Sequence, residues 1–266
     1  MVENLSTSTN CLQETGNTKI CPDCGAVLQE KAIFVQILKR NIIAWPICKC
    51  EAEKIRKREE EEKQNEKQRR LDNLFKQSRL GERFKNAKFE NFKVITENKE
   101  IHSKMLEYAT NFDTHKSESV LLYSHPGTGK TFLTSCVVNE LLSKSKSAIF
   151  VVVPDLLSQI RATFRNNTTE ATEDKIMHGL LDCDLLVLDD IGAERHTSED
   201  DWGNEKLFQV INGRYLNNKA IMFTTNLNAN ELHKKLSART FSRICEMTDK
   251  QFIDMNGIKD IRIHGM

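Results

Sequence analysis

The residues best placed by type and spacing to do chemistry lie in the run Ser124-His125-Pro126-Gly127-Thr128-Gly129-Lys130-Thr131. It follows the apolar, strand-like Leu121-Leu122-Tyr123 and precedes Leu133, Val137 and Leu141, which repeat at helical spacing. A strand that breaks into a glycine-rich turn and opens a helix can wrap backbone N–H groups around a polyphosphate, with the positive end of the helix dipole facing it. Gly127 and Gly129 permit close backbone approach, Lys130 brings a positive charge for the outer phosphates, and Thr131 offers a hydroxyl to Mg²⁺. The run reads as a P-loop, with Ser124 where the first glycine usually stands. Pro126, Gly127, Thr128, Gly129, Lys130, Thr131 and Phe132 form the expected nucleotide-binding set.

A second stretch supplies the metal side of that chemistry. Leu185-Leu186-Val187-Leu188-Asp189-Asp190 is a continuous apolar run ending in two carboxylates, as expected of a buried parallel strand whose end reaches a cation. Asp189 is expected to hold Mg²⁺ together with Thr131, and Asp190 to orient the attacking water as a catalytic base. Ala220-Ile221-Met222-Phe223-Thr224-Thr225-Asn226 is a further apolar strand with a polar end, which puts Asn226 near the γ-phosphate or the lytic water. Arg239 and Arg243 lie four residues apart, on one helix face, where they could reach a neighbouring subunit's nucleotide or form surface ion pairs.

The elements around these residues alternate strand and helix. Ser147 to Val153 reads as a strand, Asp155 to Phe164 as a helix, Asn166 to Glu173 as a loop and Asn204 to Leu216 as a helix. Such alternation predicts an α/β fold, a three-layer P-loop domain with a parallel sheet. Phe84, Phe89 and Phe92, ahead of a helix expected over Lys99 to Phe112, are expected to pack the preceding segment onto this domain, and the resemblance to P-loop ATPases implies that this segment also borders the adenine.

The N-terminal part has a different chemistry. Cys21-Pro22-Asp23-Cys24-Gly25 and Cys48-Lys49-Cys50 offer four thiolates for a closed tetrahedral Zn²⁺ site, with Cys11 as a spare, and no histidine precedes His102. A structural site of that kind presents a surface, here including Trp45 and Ile33-Phe34-Val35, to a partner. Glu51 to Arg70 intersperses acids and bases at spacings that favour a solvated helix over a coiled coil or a nucleic-acid contact. The organisation expected is a disordered start and zinc module over 1–50, a charged helical linker over 51–80, and an ATPase domain over 81–266.

With 266 residues and a net charge of +1, the chain can build one good core and an appended module, but has no global basic field to announce nucleic acid. A polar, acidic start and no long apolar run predict a cytoplasmic protein without a membrane contact. Eight cysteines in such a chain read as metal ligands and buried thiols, not as disulfides.

Taken together, Ser124 to Thr131, the Leu-Leu-Val-Leu-Asp-Asp-Ile-Gly-Ala-Glu run over 185–194, Thr224-Thr225-Asn226, Ala238 to Arg243, the Arg83 to Phe92 segment and Gly257 to Arg262 resemble the DnaC/DnaI/IstB branch of AAA+ ATPases. The likeness covers Arg79 to the C-terminus, while the cysteine pairs are closer to DnaI-type and phage-borne loaders. The resemblance implies a slow ATPase, self-associating on a hexameric DnaB-type replicative helicase, that helps place the helicase on single-stranded DNA. It assigns sensor duty to Asn226 and finger or sensor duty to Arg239 and Arg243, with Arg214 as a further candidate, and it implies the absence of a full C-terminal lid. Asp190 stands where the family has glutamate, so water activation is expected to be weak, with Glu194 assisting. Two other functions fit the same motifs: a transposition helper ATPase of the IstB kind, and an ATP-binding adaptor without significant hydrolysis.

Overall fold

The computed structural model describes residues 14–74, 84–164, 172–194, 200–249 and 251–260. Contacts divide the chain into two units, Met1–Lys63 and Gln64–Met266, with the boundary inside one long helix. Cys11, Arg83, positions 166–171 of the expected loop and Ile261-Arg262 lie outside the described residues.

The N-terminal unit is built on a three-stranded antiparallel sheet of β1 (Glu14–Ile20), β2 (Val27–Val35) and β3 (Arg40–Ala44), in that order. The strands carry their signal in Val27, Ile33, Val35, Ile42 and Ile43, β-branched residues that prefer a pleated chain even where little core exists to bury them. Gly25, at φ +68°, closes the turn between β1 and β2, as expected of the glycine after the first cysteine pair. Helix α1 (Lys49–Leu74) follows; it is polar all round and carries i,i+4 pairs such as Arg56–Glu60, as the charge pattern predicts.

The second unit is an α/β domain. Helices α2 (Lys99–Thr110) and α3 (Phe112–His115) lead into β4 (Val120–Tyr123), α4 (Lys130–Ser143), β5 (Ala148–Val152), α5 (Val153–Thr163) and α6 (Glu173–Asp182). Then come β6 (Leu185–Asp189), α7 (Asp200–Leu216), β7 (Ile221–Thr225), α8 (Ala229–Lys235), α9 (Ala238–Met247) and β8 (Phe252–Asp254). The five strands pair in parallel in the order β5-β6-β7-β4-β8. Successive residues of each strand feed opposite faces. Leu122, Val187 and Met222 pack under α2 and α4, whereas Leu121, Leu186, Leu188 and Phe223 pack under α5 to α9. Three layers result, with every strand's C-terminal end on one edge.

Two features of this order matter for the site. Strand β7 separates the P-loop strand β4 from the carboxylate strand β6, so the end of β7 lies between the phosphate loop and the acids. Strand β8, which the short tail after Arg243 did not suggest, adds to the far side of β4, and the segment after it reaches the loop: the backbone N–H of His125 donates to Asn256 Oδ1 at 3.1 Å.

Candidate nucleotide and metal sites

The P-loop leaves β4 at Ser124 and turns through Gly127 (φ +91°) and Gly129 (φ +95°) into α4. Both glycines occupy the left-handed region that side chains avoid. At Gly127 a Cβ would also lie 2.0 Å from Asp260 Cγ, so a side chain there would have to displace the Asp260 carboxylate as well as adopt a strained backbone. Ser124 is buried, and its hydroxyl bonds to Thr128 Oγ1 at 2.5 Å and accepts from Lys130 Nζ at 3.1 Å. The serine in the first glycine's place therefore ties the loop's two ends together without intruding on its concave face.

Lys130 is 94% withdrawn from solvent, being only 6% exposed, a position that costs free energy unless its ammonium is well bonded. Its Nζ donates to Ser124 O at 2.7 Å, His125 O at 3.1 Å and Asn226 Oδ1 at 2.9 Å. Asn226, at the end of β7, in turn donates through Nδ2 to Asp190 Oδ1 at 2.5 Å. A chain Lys130–Asn226–Asp190 thus crosses the sheet edge, which the interposition of β7 makes possible.

Asp189 ends β6 with 5% exposure and accepts from Thr131 Oγ1 at 3.2 and 3.1 Å and from Thr224 Oγ1 at 2.6 Å. Burial pushes its carboxyl up to about 6, and the nearby charge of Asp190 adds to this, while the hydroxyls of Thr224 and Thr131 and the charge of Lys130 pull the other way. A carboxylate kept short of cationic partners and held beside a hydroxyl is the donor set a hard divalent cation takes. Asp190 has φ +60°, unusual for a residue other than glycine, and this turns the chain so that its side chain meets Asn226. Glu194 folds onto its own loop, accepting from Gly192 N at 3.0 Å.

A cavity of about 450 Å³ opens beside these groups. Pro126, Gly127, Gly129, Lys130 and Thr131 line its polar end together with Asp190 and Asn226, and Phe84, Asn91, Phe92 and Lys93 line the other. Phe132 stands edge-on to Phe84 at 6.2 Å and tilted against Phe92 at 5.9 Å, so an aromatic wall faces a phosphate-binding end. Size and polarity suit a nucleoside triphosphate; Phe84 and Phe92 line the end away from the phosphate loop, while Phe89 is buried outside the cavity.

The arginines separate. Arg239 and Arg243 share one face of α9 and lie along α7: Arg239 bonds Glu205 at 3.1 Å over the Phe208 ring, and Arg243 bonds Glu246 at 2.6 Å over the Tyr215 ring. Arg239 keeps 67% of its side chain exposed, Arg243 29%. Arg214, expected as a third candidate for a finger, is instead completely buried and donates to the carbonyls of Leu180, Cys183, Asp184 and Ala220. It closes the C-terminal end of α6, where free carbonyls and the negative dipole end need a cation. Sequence spacing carries no sign of that burial.

In the N-terminal unit, the Sγ atoms of Cys21, Cys24, Cys48 and Cys50 lie within 4.8 Å of one another, with Cys48–Cys50 at 3.0 Å and Cys21–Cys48 at 3.4 Å. Tetrahedral zinc with bonds of about 2.3 Å needs sulfurs about 3.8 Å apart, so small shifts seat the ion. Backbone N–H groups of Cys24 and Asp23 pull the Cys21 thiol down to about 7, while the crowding of Cys48 and its neighbours pushes Cys50 upward. Four thiols placed together ionise as a set only around a cation, and the set fits Zn²⁺. Ile33 and Phe34 are exposed, and Lys19 covers the Trp45 ring at 4.4 Å.

Comparison with known proteins agrees with this arrangement. The family model for IstB-like ATP binding protein matches residues 52–245. The replicative helicase loader DnaC of Escherichia coli K12 is 31% identical over 176 residues, covering 66% of this chain and 69% of that protein. A crystal structure of the DnaC helicase loader superposes with a TM-score of 0.57 at 24% identity, covering 67% of this chain and all of the other. A replication initiator DnaA bound to AMPPCP and single-stranded DNA superposes at 0.53 and 22% identity over 63% of this chain, which spans about half of that DnaA structure's length. A parallel sheet with β7 between the P-loop and acid strands, and a family match over most of the length, agree: the chain belongs to the IstB-like ATP-binding proteins, on the AAA+ fold that the DnaC loaders share.

Proposed function

We propose that this chain is an ATP-dependent helicase loader that engages a hexameric DnaB-type helicase and single-stranded DNA. The observation that carries the reading is the Lys130–Asn226–Asp190 chain beside the Thr131–Asp189 pair, at the mouth of one amphipathic cavity. DnaC relatives matching two thirds of the chain point to loading as the output.

In this reading the backbone of Gly127 to Gly129, Thr128 and the N-terminus of α4 cradle the phosphates, and Lys130 turns from its carbonyl partners to the outer ones. Mg²⁺, when bound, neutralises charge that builds on the phosphate oxygens. Thr131 and Asp189 hold it, Asp190 takes the proton of the attacking water, and Asn226 senses the γ-phosphate by exchanging its bond to Lys130. Aspartate in place of glutamate keeps the acid short of the phosphate and turnover slow, as suits a timing switch. Arg239, the more exposed arginine, would leave Glu205 to reach a neighbouring subunit's nucleotide, and Arg243 supports it from the same helix face. The zinc module over 1–50 offers Ile33 and Phe34 to the helicase, the 51–80 linker connects it, and 81–266 forms the ATPase. The work is expected in the cytoplasm; among the described residues no helix is long and apolar enough to cross a membrane.

The test is a pull-down of a replicative helicase by the full-length chain with ATP turnover measured with and without single-stranded DNA, using Lys130→Ala as control. Helicase capture with ATP turnover supports loading. Capture without turnover supports an adaptor, and turnover without capture leaves the transposition helper as the better reading.

A further inference from the structure

Each hydroxyl of the Thr224-Thr225 pair bonds the carboxylate-bearing strand end, but on opposite sides. In parallel register Leu188 pairs with Phe223, so Asp189 and Thr224 stand side by side on one face of the sheet. Thr224 is 1% exposed, and its hydroxyl has two partners: it donates to Asp189 Oδ1 at 2.6 Å and accepts from the backbone N–H of Asp190 at 3.0 Å. Its own carbonyl accepts from Ile191 N at 2.9 Å. Thr225, on the other face, donates to Ile191 O at 2.8 Å and accepts from Leu227 N at 3.2 Å, touching neither acid.

We propose that Thr224 is a positioning residue for the acid pair at the end of β6: one hydroxyl orients the Asp189 carboxylate and anchors the amide of Asp190 where its left-handed turn begins. Two physical facts make the role specific. Asp189 is buried and could rotate about its side-chain torsions; a donor fixed on Oδ1 selects the rotamer in which the carboxylate also meets Thr131. Asp190 at φ +60° is strained for a residue other than glycine, and the bond from its N–H to Thr224 fixes the peptide plane from which that turn departs. Both acids thereby acquire their aim from a buried side chain that does not line the cavity. Valine has the same branched shape and strand preference but supplies neither half of the brace.

The inference rests on the ATP·Mg²⁺ reading of the cavity, and binding separates the two. A fluorescent ATP analogue is titrated onto the full chain in EDTA and at rising Mg²⁺, for wild type, Thr224→Val, Thr224→Ser and Thr225→Val. Thr224→Val should keep its EDTA affinity but need about 10- to 100-fold more Mg²⁺ for half-maximal enhancement, the usual cost of losing an outer partner of a metal ligand. Thr224→Ser should return to the wild-type requirement, and Thr225→Val, equally buried, should not move it. A Thr224→Val chain with the wild-type Mg²⁺ requirement, or a Thr225→Val chain shifted as far, overturns the brace and leaves the ATP site standing. If wild type binds no analogue at any Mg²⁺ concentration, the ATP reading fails first and the brace with it. Should Thr224→Val not fold, Thr224→Ala is read by the same titration with the same outcomes.

Discussion

Replacing Asp189 by asparagine should stabilise the protein while removing its grip on Mg²⁺. The carboxyl sits 5% exposed, and burial lifts it from 3.8 to about 6. Between those values the folded chain keeps a proton that the unfolded chain has released, so stability falls as pH rises from about 4 to about 6, and the loss is complete above that. The interval corresponds to about 3 kcal/mol at neutral pH. Asparagine carries no charge to desolvate and can still accept from Thr224, though its amide group must be accommodated by Thr131. A gain on the order of 1–3 kcal/mol is expected, which for a domain of this size is a rise in Tm of about 5 °C. Thermal melts in EDTA at pH 7.5, 6 and 4 measure it: Asp189→Asn should melt higher than wild type at pH 7.5, and the gap should close as pH falls toward 4. Added Mg²⁺ with nucleotide should raise the wild-type Tm more than the variant's, because asparagine lacks the charge that draws the cation. A variant that melts at or below wild type at pH 7.5, or a gap that does not narrow in acid, would refute the claim that burial governs this acid.

Three further outcomes are expected. Asp190→Glu lengthens the acid that now meets Asn226 at 2.5 Å and should raise steady-state ATP turnover several-fold; a fall in turnover would count against Asp190 as the base. Cys24→Ser should lower zinc content in elemental analysis and destabilise the N-terminal unit while leaving nucleotide affinity at the wild-type value, and zinc retained in full would remove Cys24 from the ligand set. Arg214→Met strips the carbonyls of Leu180, Cys183 and Ala220 of their donor in the interior and should cost about 3 kcal/mol or more in urea denaturation, whereas an unchanged midpoint would contradict its role as the closure of α6.

Most of the residues that line the candidate site were legible from sequence because their chemistry is local. Glycines at positive φ, a lysine and threonine opening a helix, and an apolar run ending in two acids are dictated within a few residues by backbone sterics and burial. The helices α2 and α5 and the strands β5 and β7 likewise lie within a few residues of their expected bounds, since period and flanking residues announce them. The three N-terminal strands and β8 were not legible: short strands in a unit with little core, or at a sheet edge, lack the continuous apolar run that marks the central ones.

What the amino-acid order determined by itself was which groups exist at the site and how each short segment bends. Strand order was decided only by tertiary structure, because it follows from which crossovers bury both faces of the sheet, and no local pattern encodes it. That order placed β7 between loop and acids, set Asn226 against both Lys130 and Asp190, and brought Thr224 beside Asp189. It also sent Arg214 inward while its fellow arginines stayed on α9, a difference that depends on the packing of α7 against α6 and β6, not on residue type.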